Sequence, residues 1–131
     1  MSNGLQFDEE NSRKVEALYL TPDVVVQRGR VLRALELREG EQVLDIGSGP
    51  GLLANEMAAL VGRNGRVCGI DISEDMLRMS RKRCTDQPWT EFKKADATNL
   101  PFPDHSFDAS VSTQVYDMSP ISRTHLQSFI G

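Results

Sequence analysis

The residues with the most evident chemistry are the run DIGSGPG at residues 45–51 and the acid Asp71. Glycines at alternate positions permit positive φ angles and let a ligand approach the backbone closely. Where a helix begins after such a turn, its unpaired N–H groups and partial positive charge suit an anionic group. A carboxylate about twenty residues further on is placed to accept hydrogen bonds from ribose hydroxyls. The turn alone is weak evidence, but turn and acid together predict a nucleotide site.

The spacing of the glycines discriminates between two nucleotides. Dinucleotide-binding folds carry G-x-G-x-x-G, whereas here the third glycine, Gly51, comes one place early and Leu52 stands in its position. Asp45, just before Gly47, adds a negative charge that repels a pyrophosphate and attracts a cation such as an amino-acid ammonium. The pattern D-x-G-x-G-x-G therefore favours S-adenosylmethionine over NAD. Two simpler interpretations stay open, in which Asp45 caps a helix and Asp71 is a solvated turn residue.

A parallel sheet would bring these residues to one edge, and the sequence predicts such a sheet. Thr21, Pro22 and Asp23 have the types and order of a helix start, and this helix is predicted to run to Leu37 and end near Gly40. A shorter helix is predicted before it, over residues 12–20. Strands are predicted at 41–46, 66–71, 89–95 and 107–112, alternating with helices at 52–61 and 74–84, the latter capped by Ser73. The alternation predicts an α/β fold, a Rossmann-like three-layer sandwich with a parallel sheet.

Four motifs in this order resemble a known family. They are residues 43–51, GIDIS at 69–73 with Met76-Leu77, ADA at 95–97 with Leu100-Pro101-Phe102, and SFDA at 106–109. Together they resemble the class I S-adenosylmethionine-dependent methyltransferases. Within that class the chain is most similar to the small-molecule branch that includes the ubiquinone/menaquinone-biosynthesis and arsenite methyltransferases.

The resemblance implies a role for each residue near the methionine and ribose parts of the cofactor, S-adenosylmethionine. Gly47 and Gly49 would approach the methionine part, and Asp45 would face its amino group, directly or through water. Asp71 would hold the ribose hydroxyls, and Thr113 would border the methionine end.

The resemblance also implies an adenine site and a wall. Ile72 and Met76 would flank the adenine ring, and Asp96 would accept a hydrogen bond from its exocyclic amine, with the backbone N–H of Ala97 nearby. The segment before the first long helix folds over the cofactor in this family, so Tyr19 would wall the methyl-transfer site. Simple packing is the alternative for Tyr19, and a plain post-strand acid is the alternative for Asp96.

The overall composition excludes several classes of partner. The formal net charge is -4, which argues against nucleic acid as the main partner. No apolar run of about 18 residues predicts a membrane span, and the first residues do not resemble a secretory signal. Cys68 and Cys84 form no C-x-x-C pair, so we expect two reduced cysteines, no metal and a cytoplasmic location. The basic run Arg78 to Arg83 is expected to be a solvated helix face.

The sequence does not identify a catalytic residue. Transfer from a sulfonium needs alignment and water exclusion, and a general base only when the acceptor must lose a proton. A small-molecule acceptor is expected, and its identity stays open. Of the two thiols, only Cys84 is expected to be exposed enough to hold an arsenite-type acceptor.

The end of the chain departs from the family pattern. Members of the family continue beyond the fourth strand with a helix and three further strands, so the fold is expected to be truncated after that strand. Ser119 could cap a last helix, and the fourth strand would then be an exposed sheet edge open to a partner chain. The expected divisions are an N-terminal helical segment (1–40), an incomplete cofactor-binding core (41–118) and an atypical tail (119–131).

Three hypotheses follow about function. The first is a methyltransferase, or a fragment of one, that acts on a small molecule. The second is a non-catalytic truncated module that binds the cofactor or depends on a partner. The third is a fragment of a nicotinamide-dependent oxidoreductase, against which Asp45 and the early third glycine argue.

Overall fold

The computed structural model of the chain describes residues 10, 13–14, 16–103, 106–112 and 121–123. Residues 16–19 are helical, and we call residues 16–21 the strap. The remaining helices of the described part are α1 (Pro22–Leu35), α2 (Leu52–Val61) and α3 (Glu74–Arg83). Its strands are β1 (Gln42–Ile46), β2 (Arg66–Asp71), β3 (Thr90–Lys94), β4 (Ala109–Ser112) and β5 (Ile121–Arg123).

The strands form one sheet in the order β3-β2-β1-β4-β5. Strands β1 to β4 are parallel, which confirms the predicted Rossmann-like α/β fold. The chain moves from β1 to β2 and β3 on one side, and β4 then lies on the other side of β1. In open parallel sheets the crevice at such a reversal, outside the carboxyl ends of the strands, is where ligands bind. The glycine turn follows β1 directly, so the fold puts it at this crevice.

The two faces of the sheet are covered differently. Val43 and Val67 point to the face on which α1, α2 and α3 pack, and their side chains share a core with Leu35, Met57 and Leu77. The opposite face holds a smaller buried cluster with a few partly buried neighbours: Leu44, Cys68, Ile70 and Phe107, packed by Ile46, Ala95, Leu100 and Phe102. Alternate side chains along a strand point to opposite faces, and this alternation sends Asp45 to the helical side.

The edge of the sheet beyond β4 differs from the sequence prediction. The structure pairs β5 antiparallel with β4, with Val111 opposite Ile121 and Ala109 opposite Arg123, so the prediction that β4 is the exposed edge of the sheet is wrong, and a partner chain at the edge stays a prediction. An unpaired strand offers a row of backbone donors and acceptors that a following segment can fill. A strand of three residues shows no periodicity in the sequence, and this is why it was missed. The predicted helix cap, Ser119, lies outside the described residues.

The helix ends are close to the predicted positions. Ser73 caps α3 as predicted, because its hydroxyl accepts from the Met76 N–H at 3.3 Å. The predicted cap Thr21 precedes α1, but its hydroxyl donates to the Leu18 carbonyl oxygen at 2.9 Å, which satisfies the last turn of the strap instead. Helix α1 ends earlier than predicted, at a left-handed Glu36 (φ 49°).

The described residues contain neither a membrane-spanning helix nor a cluster of metal-ligating side chains. Within the ranges given above, none of the helices combines the length and apolar character needed to cross a bilayer. The same ranges contain no cluster of three or more His, Cys, Asp or Glu side chains arranged to hold a metal ion.

Candidate functional site

The glycine turn (residues 47–51) has a backbone that needs glycine. Gly49 and Gly51 have φ angles of 57° and 89°, a left-handed region that other residues rarely adopt. A Cβ on Gly51 would lie 2.8 Å from the Ser80 Cα, and a Cβ on Gly49 would lie 2.6 Å from the Tyr19 hydroxyl oxygen. Helix α2 starts immediately after the turn, so its free N–H groups face the same space.

Hydrogen bonds fix the glycine turn to the neighbouring elements. The backbone N–H groups of Gly47 and Ser48 both donate to the Ile70 carbonyl oxygen at 2.9 Å. On the other side, the Ser80 hydroxyl of α3 donates to the Gly49 carbonyl oxygen at 2.7 Å. The turn is therefore held between β2 and α3, and a ligand that approaches it meets a preformed backbone.

Asp45 is a buried acid beside this turn. Its side chain is 1% exposed, and among the described residues neither of its carboxylate oxygens has a hydrogen-bond partner. The buried hydroxyl of Ser48 likewise has none there. Burial, and secondly the negative charge of Asp71, raise the pKa of Asp45 to about 7. A buried carboxylate without a partner is costly. The two oxygens therefore fit a cationic ligand group that would donate hydrogen bonds to them and neutralise their negative charge.

Asp71 ends β2 and connects three parts of the site. One carboxylate oxygen accepts from the Gly49 N–H at 2.9 Å, and the other accepts from the Ser73 N–H at 2.9 Å. A carboxylate has about four acceptor positions, so these bonds leave capacity for ligand hydroxyls. The sequence predicted a ligand role for Asp71 but missed its bond to the glycine turn, which joins residues far apart in the chain.

The predicted adenine residues lie at the exposed end of the site. The Asp71 carbonyl oxygen accepts from the Ala95 N–H at 3.1 Å, which sets the segment after β3 beside the end of β2. Ile72 is 70% exposed, and Met76 is half-buried. The pKa of Asp96 is lowered by hydrogen bonds from the backbone N–H and the hydroxyl of Thr98.

Ala97 and Thr113 are the two remaining predicted cofactor residues. Ala97 is exposed beside Asp96, while Thr113 lies outside the described residues. The structure thus brings Asp45, Gly47, Gly49 and Asp71 together at one turn. Of the predicted adenine residues, Ile72, Asp96 and Ala97 follow the adjacent strands β2 and β3, and Met76 lies in the first turn of α3.

Tyr19 lies against the glycine turn. Its hydroxyl oxygen is the closest atom to a Cβ built on Gly49. The pKa of Tyr19 is raised by burial first, and then by the charges of Asp45 and Asp71. The phenol of the strap is therefore near enough to both acids of the site for their charges to act on it, and its predicted role as a wall of the methyl-transfer site stays a prediction.

The sequence analysis missed two arginines that join the strap to the site. Arg28 donates to the Tyr19 carbonyl oxygen at 2.9 Å and to Glu56 at 2.7 Å. Arg83 donates to the Pro50 carbonyl oxygen at 3.1 Å and forms an ion pair with Glu16. The expectation that the basic end of α3 is only a solvated face is therefore wrong for Arg83. The one sequence signal was the position of Arg28, which interrupts the apolar stripe of α1.

The exposure of Cys84 differs from the sequence prediction. Both Cys68 and Cys84 are free thiols, and both are buried. Cys84 is 3% exposed, because α3 packs its end against the core, and burial raises its pKa. The expectation of an exposed Cys84 that could hold a metalloid acceptor is therefore wrong.

Comparisons with known proteins agree with this geometry. The sequence profile of a family described as a methyltransferase domain matches residues 43–130. The ubiquinone/menaquinone biosynthesis C-methyltransferase UbiE of Pseudomonas entomophila is 47% identical over 75 residues, which are 55% of this chain and 29% of that protein. A demethylmenaquinone methyltransferase of Desulfitobacterium hafniense is 35% identical over 86 residues, which are 63% of this chain and 34% of that protein.

A solved structure gives the same result for the fold. The crystal structure of a SAM-dependent methyltransferase from Aquifex aeolicus matches with a TM-score of 0.65 and 27% identity, over 77% of this chain and 55% of that one. These similarities confirm the predicted resemblance to class I S-adenosylmethionine-dependent methyltransferases of the UbiE kind, together with S-adenosylmethionine as the cofactor. The chain spans 29% and 34% of the length of the two curated relatives.

Proposed function

Because this chain belongs to the methyltransferase domain family, we propose that it binds S-adenosylmethionine at the glycine turn and serves methyl transfer to a small molecule. The observation that carries the proposal is the buried carboxylate of Asp45. Its two buried carboxylate oxygens lack any hydrogen-bond donor within the described residues, and they lie beside a turn built for close approach. An ammonium group supplies both the donors and the positive charge that these oxygens need.

The charge of Asp45 also argues against the nicotinamide alternative. A pyrophosphate near the turn would face this acid, and two negative charges at short distance in a buried setting repel strongly. The methionine part of S-adenosylmethionine carries an ammonium instead, and its carboxylate suits the N–H groups at the start of α2. We propose that Asp45 receives the ammonium and that Gly47 and Gly49 face the methionine chain.

The remaining contacts are proposed from the order of groups along the strand ends. Asp71 would hold the ribose hydroxyls with the acceptor capacity left by its two backbone bonds. The other proposed cofactor residues are those of the adenine end and the position after β4: Ile72, Met76, Asp96, Ala97 and Thr113.

The protein's contribution to the reaction would be orientation. When bound, S-adenosylmethionine supplies a methyl group on a sulfonium, which is already a good leaving group. Asp45 and Asp71 would fix two ends of the donor, and Tyr19 would keep water away from the space above Gly49. Holding reactants in line and excluding water can supply several kcal/mol of the barrier. No side chain is proposed as a general base, because the acceptor is not identified.

We propose a small-molecule acceptor because the relatives of this sequence include methyltransferases of ubiquinone and menaquinone biosynthesis. The division into segments 1–40, 41–118 and 119–131 and the cytoplasmic location also stay proposals. A second candidate is a cofactor-binding module without catalysis of its own. The groups at the turn in the described part of the chain are Tyr19, Asp45 and Asp71. We assign all three to the methyl donor and none to the acceptor, and this supports the second candidate.

Calorimetric titration with S-adenosylhomocysteine tests the proposal. Asp45→Asn keeps the shape of the side chain and removes its charge, so we expect affinity to fall at least about tenfold, as when one partner of a buried charge pair is lost. Asp86→Asn, at an exposed position, is the matched control and should bind as the unmodified chain does. Thermal melting of each variant verifies that it is folded.

Two results would contradict the proposal. One is tighter binding of NAD than of S-adenosylhomocysteine. The other is an unchanged affinity in a folded Asp45→Asn variant. Transfer of a labelled methyl group to a demethylated quinone precursor then separates the two candidates: binding with transfer supports the methyltransferase, and binding without transfer supports the module.

A further inference from the structure

The strap is connected to the site by two arginines that approach it from different helices. Arg28 belongs to α1, and its side chain is only 11% exposed in its ion pair with Glu56. The same guanidinium donates to the Tyr19 carbonyl oxygen. One side chain therefore fixes the backbone at Tyr19 to α2, the helix that begins at the glycine turn.

The second arginine joins the other end of the strap to the turn itself. Arg83 forms an ion pair with Glu16, in which the two side chains are 26% and 32% exposed. Its Nε also donates to the Pro50 carbonyl oxygen. Any shift of the strap away from the turn must therefore break the contact with Glu16 or pull on the turn.

The strap lies close to the buried acid. The phenol of Tyr19 lies against Gly49 and near enough to Asp45 for the charge of that acid to raise the Tyr19 pKa, and Asp45 itself is 1% exposed. A ligand group as large as an ammonium on a carbon chain reaches the Asp45 carboxylate only after a neighbouring side chain moves. Tyr19 belongs to neither buried core cluster, and its neighbours Ala17 and Leu20 are exposed, so moving it disrupts less packing than moving the sheet or α2 would.

We propose that Arg28 and Arg83 are positioning residues that hold Tyr19 over the glycine turn, and that their ion pairs with Glu56 and Glu16 set the rate at which a ligand reaches Asp45. The proposal rests on the proposed function for the identity of that ligand, the amino-acid end of the cofactor. The strap then lifts, admits the ligand and closes over it. Weakening either ion pair makes lifting easier and therefore speeds both binding and release.

Two variants weaken the ion pairs without altering the proposed cofactor residues. Glu16→Gln removes one charge and leaves the bond between Arg83 and Pro50, while Glu56→Gln leaves the bond between Arg28 and Tyr19. The matched control is Glu91→Gln, which removes the ion pair with Arg66 between β2 and β3 and a second one with Lys93 of β3. Both pairs are partly exposed and lie away from the strap.

The first readout needs no cofactor. Modification of Asp45 by a carbodiimide with glycinamide, followed by peptide mass spectrometry, measures how often the acid becomes accessible. We expect the rate to rise about two- to fivefold in Glu16→Gln and Glu56→Gln, the effect of losing one partly exposed ion pair. Alkylation of Cys68, which is fully buried in the sheet, reports global unfolding and should not change.

The second readout is the kinetics of S-adenosylhomocysteine binding by surface plasmon resonance. Both the association and the dissociation rate should rise about two- to fivefold in the two variants, with less than about a twofold change in Kd. Added salt should raise both rates of the unmodified chain, because it screens the ion pairs, and should affect the variants less. A residue that only stabilises the fold would not produce this loss of salt dependence.

Several results would overturn the proposal. Asp45 modification that stays unchanged, or that rises in parallel with Cys68 alkylation, contradicts it, and so does an equal effect of Glu91→Gln. A faster dissociation with an unchanged association rate means that the strap is only a contact wall, which also contradicts it. If Asp45 modification responds as expected while no variant binds S-adenosylhomocysteine, the positioning role stands and the proposed function fails.

Discussion

The two ends of the site differ in how completely the protein has built them. At the glycine turn, the acid Asp45 is buried, and the Gly49 backbone accepts a hydrogen bond from Ser80 and donates one to Asp71. At the other end, Ile72 is 70% exposed and the carboxylate of Asp96 is fully exposed. A preorganised polar site needs little rearrangement when its ligand binds. An exposed apolar surface contributes to binding only through the apolar area that the ligand partly buries. From this difference we expect selection between ligands to be made at the buried end.

The largest effect should come from changing the backbone of the buried end. Gly51→Ala adds a Cβ at 2.8 Å from the Ser80 backbone in a left-handed conformation with a φ of 89°. The strain of that φ and the overpacking together should lower the free energy of unfolding by about 2–5 kcal/mol. Urea denaturation measures the change.

A second glycine provides a control for that substitution. Gly40 has the same φ of 89°, but a Cβ there would meet nothing within 4 Å. Gly40→Ala should therefore cost only the conformational strain, about 1–2 kcal/mol. An equal loss in both variants would mean that the close contact with Ser80 contributes nothing.

The next effect compares matched acids at the two ends. Asp71→Asn should lower the affinity for S-adenosylhomocysteine about ten- to a hundredfold, because the acid organises the glycine turn and, in our proposal, the ribose. Asp96→Asn should lower it less than about tenfold, since Asp96 is exposed and its bonds go to Thr98. Calorimetry on folded variants decides. A larger loss for Asp96→Asn would reverse the assignment of the selective end.

A separate effect is a dependence of stability on pH that belongs to the buried end alone. The pKa of Asp45 is raised from 3.8 to about 7 in the folded chain, so folding favours its protonated form. This contribution to stability is complete below about pH 4 and is lost as the pH rises through 7. The loss of stability over this range should be absent from Asp45→Asn, which urea denaturation at a series of pH values would reveal.

The same acid links binding to proton release. With a pKa of about 7, Asp45 is partly protonated near neutral pH, and an ammonium ligand favours its charged form. Binding of S-adenosylhomocysteine should then release a fraction of a proton that grows as the pH is lowered, measured by calorimetry in buffers of different ionisation enthalpy. Release that persists unchanged in Asp45→Asn would assign the proton to another group.

The sequence predicted the features that depend on local pattern. The alternation of strands and helices, the glycine turn and the Ser73 cap each follow from residues that are close in the chain, and all three are observed. The position of the site at the reversal beside β1 also follows, because strand ends in parallel β-α-β units meet at one edge of the sheet.

Features that depend on contacts between distant residues were not predictable in the same way. The bonds from Arg28 and Arg83 to the strap, and from Gly49 to Asp71, join segments whose separation in space only the fold determines. The burial of Cys84 depends on how the end of α3 packs against the core. The basic residues before Cys84 suggested an exposed helix end instead. Strand β5 exists by pairing with β4, and its three residues carry no pattern of their own.

The two backbone bonds of Asp71 have a consequence for redesign. Exchanging this acid is an obvious way to alter which nucleotide a fold of this kind accepts. Here the same carboxylate also joins the Gly49 N–H to the start of α3 through the Ser73 N–H. A change of ligand preference at this position would therefore require a new acceptor for both amides, so altering the preference and rebuilding the loop form a single design problem.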